Sequence, residues 1–402
     1  MRETNYNMFT LKEKIKERSA AHAAYFIEVR RHLHAHPELS YQEFQTAAFV
    51  QKQLSFFGID HKLMGGTGVV GIIEGKNPSK RIIALRADMD ALPIEEENDV
   101  PYRSQNAGVM HACGHDVHTT CLLGAAKILN ELKEEWEGTV KLIFQPGEER
   151  NPGGASVLIK EGVLKDPVPS AIFGLHVHSG LQAGQFSFRA GKVMASADEL
   201  YFTIKGKGGH AAAPHLTTDT ILVASHIIVA LQQVISRNND PFTPSVLSIC
   251  SIHGGYTTNV IPSEVKLMGT FRALDEKWRF KAHELIKRIA ESTATGMGAT
   301  VDVHIDVGYP AVMNNDELYA EARKLAEEFA GAEHVETTEV RMGAEDFGYY
   351  SQVIPGCFYR LGVGNIAKGI IAGVHTPIFN VDESSIRNGV EMMAWLGANA
   401  KL

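Results

Sequence analysis

Two textures of hydrophobic patterning divide the chain. Up to about residue 196 the apolar positions come in short unbroken runs, Val69–Ile73, Ile82–Leu85, Val140–Phe144 and Ala171–Leu175. Unbroken runs of this length are expected of strands covered on both faces of a mostly parallel sheet. Helical periodicity over 116–135 and 153–162 separates them and produces a β-α-β order. Ahead of the runs, residues 11–31 mix Lys, Glu, Arg and Ala with recurrent apolar positions and predict an amphipathic helix that ends before Pro37. A second helix is predicted from Gln42 to Phe57, stopped by Gly58.

From about Ala197 the apolar residues alternate instead, over 200–205, 246–252, 264–271 and 300–305. Alternation predicts half-exposed antiparallel strands. With helices near 218–236 and 276–296 the order becomes β-α-β-β-α-β, a ferredoxin-like α+β sandwich. The first texture then returns, with a helix near 316–329, a strand over Cys357–Leu361 and a helix near 384–399. The expected fold is therefore an α/β domain over 1–196 and 311–402, interrupted by an inserted lid over 197–310.

Length agrees with that division, since 402 residues exceed what one core usually supports. With 44% hydrophobic and 21% charged residues the composition is that of an ordinary globular enzyme. A net charge of −8 excludes a basic surface for phosphate backbones, so no nucleic-acid partner is expected. The first ten residues lack the apolar core of a secretory signal, and no run of about 18 apolar residues offers a membrane span. A cytoplasmic protein without a membrane partner is the expectation. The four cysteines do not form a disulfide framework, and Cys121, Cys250 and Cys357 read as buried small hydrophobes.

Candidate chemistry collects where the runs end. Residues 111–118 read His-Ala-Cys-Gly-His-Asp-Val-His, Glu148 and Glu149 follow Val140–Phe144, and His176 follows Ala171–Leu175. Open α/β sheets build their sites just past the carboxyl ends of strands. Together with His375, the residues Cys113, His115, Glu149 and His176 supply one thiolate, three imidazoles and one carboxylate. That set suits zinc or manganese rather than calcium or magnesium, with cobalt or nickel also compatible. Two such ions can activate water and polarise a carbonyl, which leaves Glu148 to move protons. Asp90 is assigned to orient a ligand histidine.

Other residues have plainer readings. Asp116 stands where a carboxylate caps a helix. His111 and His118 read as supporting residues, and His32, His34 and His36 as structural ones. In the lid, His210 sits in a Gly/Ala-rich stretch with little packing reason to be there, and is assigned to hydrogen-bond a developing oxyanion. Asn259 and Arg272 are assigned to substrate, Arg272 through a bidentate contact to a carboxylate.

Most of these residues fall in nine ordered segments, among them 33–39 (Leu-His-Ala-His-Pro-Glu-Leu), 86–93 (Arg-Ala-Asp-Met-Asp-Ala-Leu-Pro), 110–116, 144–149, 259–262 (Asn-Val-Ile-Pro), 342–347 (Met-Gly-Ala-Glu-Asp-Phe) and 375–377. In them the chain resembles, from about Arg30 onward, the metal-dependent amidohydrolase family of bacterial aminoacylases, hippurate hydrolases and plant auxin-conjugate hydrolases. The resemblance implies a zinc-exopeptidase-like catalytic domain, a two-metal site with these ligands, Glu148 as base, and a lid that carries a homodimer contact. It implies hydrolysis of N-acyl-L-amino acids, with a dipeptide hydrolase or a non-catalytic acyl-amino-acid binding protein as alternatives. Asp88-Met-Asp90 stands where the wider superfamily has His-x-Asp, which leaves open whether Asp88 touches metal.

Overall fold

The computed structural model describes residues 9–401. Contacts divide them into two units. One runs up to Val193 and resumes over Met313–Glu339 and from Tyr349, and the other comprises Met194–Val312 and Val340–Gly348. The short segment Val340–Gly348 thus groups with the second unit, whereas the patterning had left it with the first.

The first unit is built on an eight-stranded sheet. Its order is Asp60–Met64, Gly68–Glu74, Thr139–Gln145, Ile82–Asp88, Ala171–Gln182, Gly356–Gly364, Phe186–Phe188 and Val335–Thr337. Four neighbouring pairs are parallel and three antiparallel, so the sheet is mixed. Gly68–Glu74 pairs antiparallel with both of its neighbours. Its unbroken apolar run had correctly marked burial, which carries no information about strand direction.

Helices Leu11–Ala35, His115–Glu131 and Ser384–Asn399 bury their apolar faces in one core with these strands. Cys121 and Cys357 lie in that core, while Cys250 is exposed on strand Ser245–His253 and so corrects its predicted burial. The helix predicted from Gln42 begins at Phe44, where the Glu38 carboxylate accepts the amides of Gln45 and Thr46. That bond satisfies two of the free N–H groups of the first turn.

The second unit is a four-stranded antiparallel sheet in the order Ser245–His253, Glu264–Ala273, Asp198–Lys205 and Thr300–Val307. Helices Thr220–Asn238 and Glu276–Gly296 bury Val223, Ile227, Leu231, Ala282, Ile286 and Ala290 against it. The first of these helices has 19 residues and a mean hydropathy of 1.4, enough by length and composition to cross a bilayer. Here its buried face belongs to the sheet.

Candidate metal centre

Register brings the candidate residues to one level of the first sheet. Asp88 lies opposite Gln145, and Arg86 lies opposite Gly174, two residues before His176. His176 itself is inside strand Ala171–Gln182 rather than past its end, because that strand continues well beyond the predicted Leu175. The segment 111–115 approaches this level through Gly114, which has φ +86°, and a Cβ there would meet Val177 Cγ2 at 2.5 Å. Glycine is therefore required between Cys113 and His115, so that helix His115–Glu131 starts with both side chains directed to the same place.

The donor atoms converge. Those of Cys113, His115 and His176 lie within 4.8 Å of one another, as do those of Cys113, Glu149 and His375. Glu148 joins His115 and Glu149 in a third such group. His375 comes from the returning part of the chain and has φ +64°, a conformation that non-glycine residues rarely adopt. Its amide donates to Ala112 O at 2.8 Å, which fixes the turn to the Cys113 segment.

Hydrogen bonds leave the right nitrogens available. His115 Nδ1 faces Asp90 Oδ1 at 3.1 Å, and its buried Nε2 has no partner. His176 Nδ1 donates to Val177 O at 2.8 Å, leaving Nε2 3.4 Å from Cys113 Sγ. Glu149 Oε1 is likewise buried without a hydrogen bond, with His375 Nε2 3.3 Å away. Orphaned buried polar atoms are rare, and three soft or borderline donors around such atoms fit a divalent transition metal.

Electrostatics point the same way. Burial opposes protonation of His115, yet Asp88, Asp90 and Glu149 outweigh it and push the imidazole up to about 10. Burial, then Glu149, Glu148 and Asp88, hold the Cys113 thiol well above its ordinary range. Burial, His118 and Arg360 keep His176 neutral. The pocket thus carries an excess of carboxylate that stabilises positive charge, the condition a dication satisfies.

Asp90 Oδ2 accepts the Ser40 hydroxyl at 2.6 Å and the Glu149 amide at 2.9 Å, so this residue supports two of the predicted ligands. Asp88 is engaged by His118 Nδ1 at 2.6 Å and by Arg86 at 2.7 Å. His118 Nε2 accepts the Val177 amide, so both its nitrogens are used in support of the His176 strand. Asp116 is no cap. Helix His115–Glu131 takes Gly114 at that position, and the Asp116 carboxylate binds Arg30 and His34, each at 2.8 Å.

In the second unit His210 lies on a two-residue strand, Gly209–His210, paired with Val260–Ile261, rather than in an open loop. Asn259 is adjacent, its carbonyl accepting the Ala211 amide. Arg272 is not with them. It sits near the far end of strand Glu264–Ala273, about 27 Å along the strand from Glu264, at the usual rise per residue. Ser40 and Glu43 were missed by sequence reasoning because their partners are backbone groups or residues distant in sequence, and Arg86 was missed although one of its partners, Asp88, is two residues away.

Comparison with known proteins accords with this geometry. The model for peptidase family M20/M25/M40 matches residues 84–397. An N-acyl-L-amino acid amidohydrolase of Geobacillus stearothermophilus is 42% identical over 307 residues, covering 76% of this chain and 82% of that protein. Thermostable carboxypeptidase 2 of Saccharolobus solfataricus is 41% identical, covering 94% and 96%. The crystal structure of the Bacillus subtilis YXEP protein, described as a dinuclear metal binding peptidase, superposes with a TM-score of 0.82 at 34% identity, covering 94% and 98%. By extent of match, conserved fold and donor set, the chain belongs to peptidase family M20/M25/M40, and is a metal-dependent amidohydrolase or peptidase.

Proposed function

We propose that the chain hydrolyses the amide bond of N-acyl-L-amino acids, releasing a carboxylic acid and a free amino acid. The observation that carries this reading is the convergence of Glu148 with the donor atoms of His115 and Glu149 at a buried site. Cys113, His115, Glu149, His176 and His375 would hold two divalent ions, of manganese or zinc. When bound, such ions supply Lewis acidity that polarises a carbonyl and lowers the pKa of water.

Glu148 takes a proton from the attacking water as its oxygen bonds to the carbonyl carbon, and delivers a proton to the nitrogen as the C–N bond breaks. Asp90 keeps His115 in the tautomer that presents Nε2. His210 donates a hydrogen bond to the carbonyl oxygen as charge develops there. Its Nδ1 accepts the Ala212 amide at 3.1 Å, which leaves Nε2 as the donor. Asn259 and Arg272 bind the substrate's polar groups.

A substrate that meets both His210 and Arg272 draws them from two copies of the chain, because His210 pairs with Val260, just before the Glu264 end of strand Glu264–Ala273, and Arg272 sits near the other end of that strand. A homodimer through the second unit supplies both. Its support is helix Thr220–Asn238, which exposes Ile221, Leu222 and Val229, beside the open sheet edge at Ser245–His253.

Replacing Glu148 by Gln should retain metal while kcat falls by roughly 10²- to 10⁴-fold; wild-type turnover in that variant would remove Glu148 from the mechanism. A second reading, a carboxypeptidase or small-peptide hydrolase, is favoured by the 41% identity to the thermostable carboxypeptidase. N-acetyl-amino acids, hippurate and dipeptides assayed side by side with manganese or zinc separate the two.

A further inference from the structure

We infer that Glu43 is a positioning residue: its carboxylate, together with the Tyr41 side chain, forms a clamp that sets the direction of the Glu148 and Glu149 side chains. The inference rests on the reading that Glu148 carries the proton. Glu43 is fully buried, and its carboxylate accepts bonds from three stretches of chain. Oε1 accepts the Gly147 amide at 2.7 Å and the Tyr41 amide at 2.9 Å, and Oε2 accepts the Thr67 hydroxyl at 2.6 Å. Gly147 is the residue immediately before Glu148.

Tyr41 closes the clamp from the other side. Its ring lies where a Cβ on Gly147 would be, 2.6 Å from Tyr41 Cε1 and Cζ, and Gly147 has φ +58°. Its hydroxyl donates to Arg150 O at 3.1 Å, just past Glu149. Tyr41 itself has φ +64°, a conformation rare for a bulky residue and held here by the Glu43 bond to its own amide. The loop 147–150 is thus gripped before and after its two carboxylates, while Ser40, next in the same segment, binds Asp90. A displacement of about 1 Å at a reacting group can reduce turnover about a hundredfold. A clamp on the preceding peptide therefore acts on kcat rather than on substrate affinity.

The clamp works through accepted hydrogen bonds, and this separates two substitutions. Glu43→Gln keeps Oε1 for both amides and can donate its amide nitrogen to the Thr67 oxygen, so it should stay within a few-fold of wild type in kcat. Glu43→Ala leaves the Gly147 amide without its acceptor. It should lower kcat at least tenfold with KM within about threefold, and it should accelerate hydrogen–deuterium exchange in a peptide spanning 145–150 in the metal-free protein. Tyr41→Phe, which removes only the Arg150 contact, should speed exchange in the same peptide and give a smaller loss of kcat. Unchanged exchange at 145–150 in both Glu43→Ala and Tyr41→Phe overturns the proposal. So does equal impairment of Glu43→Gln and Glu43→Ala, which would assign the effect to charge. If Glu43→Ala does not fold, the Gln and Phe variants decide: a Gln variant tenfold slower in kcat, or wild-type exchange in the Phe variant, overturns it. Should Glu148→Gln retain full activity while the exchange results hold, the proton-transfer reading fails and the clamp stands.

Discussion

Asp90 binds three groups that belong to three parts of the centre: the imidazole of His115, the amide of Glu149 and the hydroxyl of Ser40. A carboxylate can accept all three, whereas an asparagine must turn an N–H₂ group toward at least one donor. Asp90→Asn should therefore loosen His115 and lower metal affinity by roughly 10- to 100-fold, measured by competition with a chelator. Unchanged affinity would show that His115 is oriented by other contacts. The convergence of Cys113, His115, Glu149, His176 and His375 was legible from the sequence because few residue types serve as soft or borderline donors. Ser40 and Glu43 were not. Their partners are backbone amides or residues far along the chain, and such bonds leave no trace in local spacing.

At the scale of elements, helix Ser384–Asn399 depends on a carboxylate two residues before it. Asp382 accepts the Ser384 amide at 3.1 Å, the Ser384 hydroxyl at 2.9 Å, Asn365 at 2.5 Å and Lys368 at 3.0 Å. Burial opposes its ionisation, but the bonds from Asn365, Ser384 and Lys368 prevail and bring it from the ordinary 3.8 to about 2. A carboxyl held low in the fold contributes stability in full above its unfolded value and loses it as pH falls from 3.8 toward about 2. Asp382→Asn keeps an acceptor for the Ser384 groups but loses the charge that faces Lys368, and should cost about 0.5–1 kcal/mol at pH 7, as for a partly exposed ion pair. The difference from wild type should shrink at pH 3 in urea titrations; a pH-independent difference would mean that packing and not charge is lost. Element positions were largely legible, since burial on one or both faces determines which residues are apolar. Strand direction was not, as Gly68–Glu74 shows: covered on both faces, it reads the same whichever way its neighbours run.

The whole molecule holds more apolar surface on helix Thr220–Asn238 than an isolated unit needs, with Val229 72% exposed. In the proposed dimer this face is covered. Val229→Glu should then shift the protein to monomer in sedimentation velocity, with a fall in kcat as His210 of the second copy is withdrawn. A wild-type protein that sediments as a monomer at working concentration and is fully active would dismiss both the dimer and the shared site. The two-unit organisation was legible from the change in patterning, because the inserted sheet has a solvated face whereas the central strands of the first are buried on both faces. The boundaries were less so: Val340–Gly348 is too short to carry a periodicity of its own.

One consequence of the discontinuous first unit concerns synthesis. Strand Gly356–Gly364 lies between Ala171–Gln182 and Phe186–Phe188, parallel to one and antiparallel to the other. A ribosome therefore translates the whole contiguous stretch Met194–Val312 before the strand that fills that gap emerges. Until then the edges of Ala171–Gln182 and Phe186–Phe188 that pair with it in the finished sheet lack that partner. The nascent chain also lacks His375, so the proposed donor set stays incomplete until its late segments arrive.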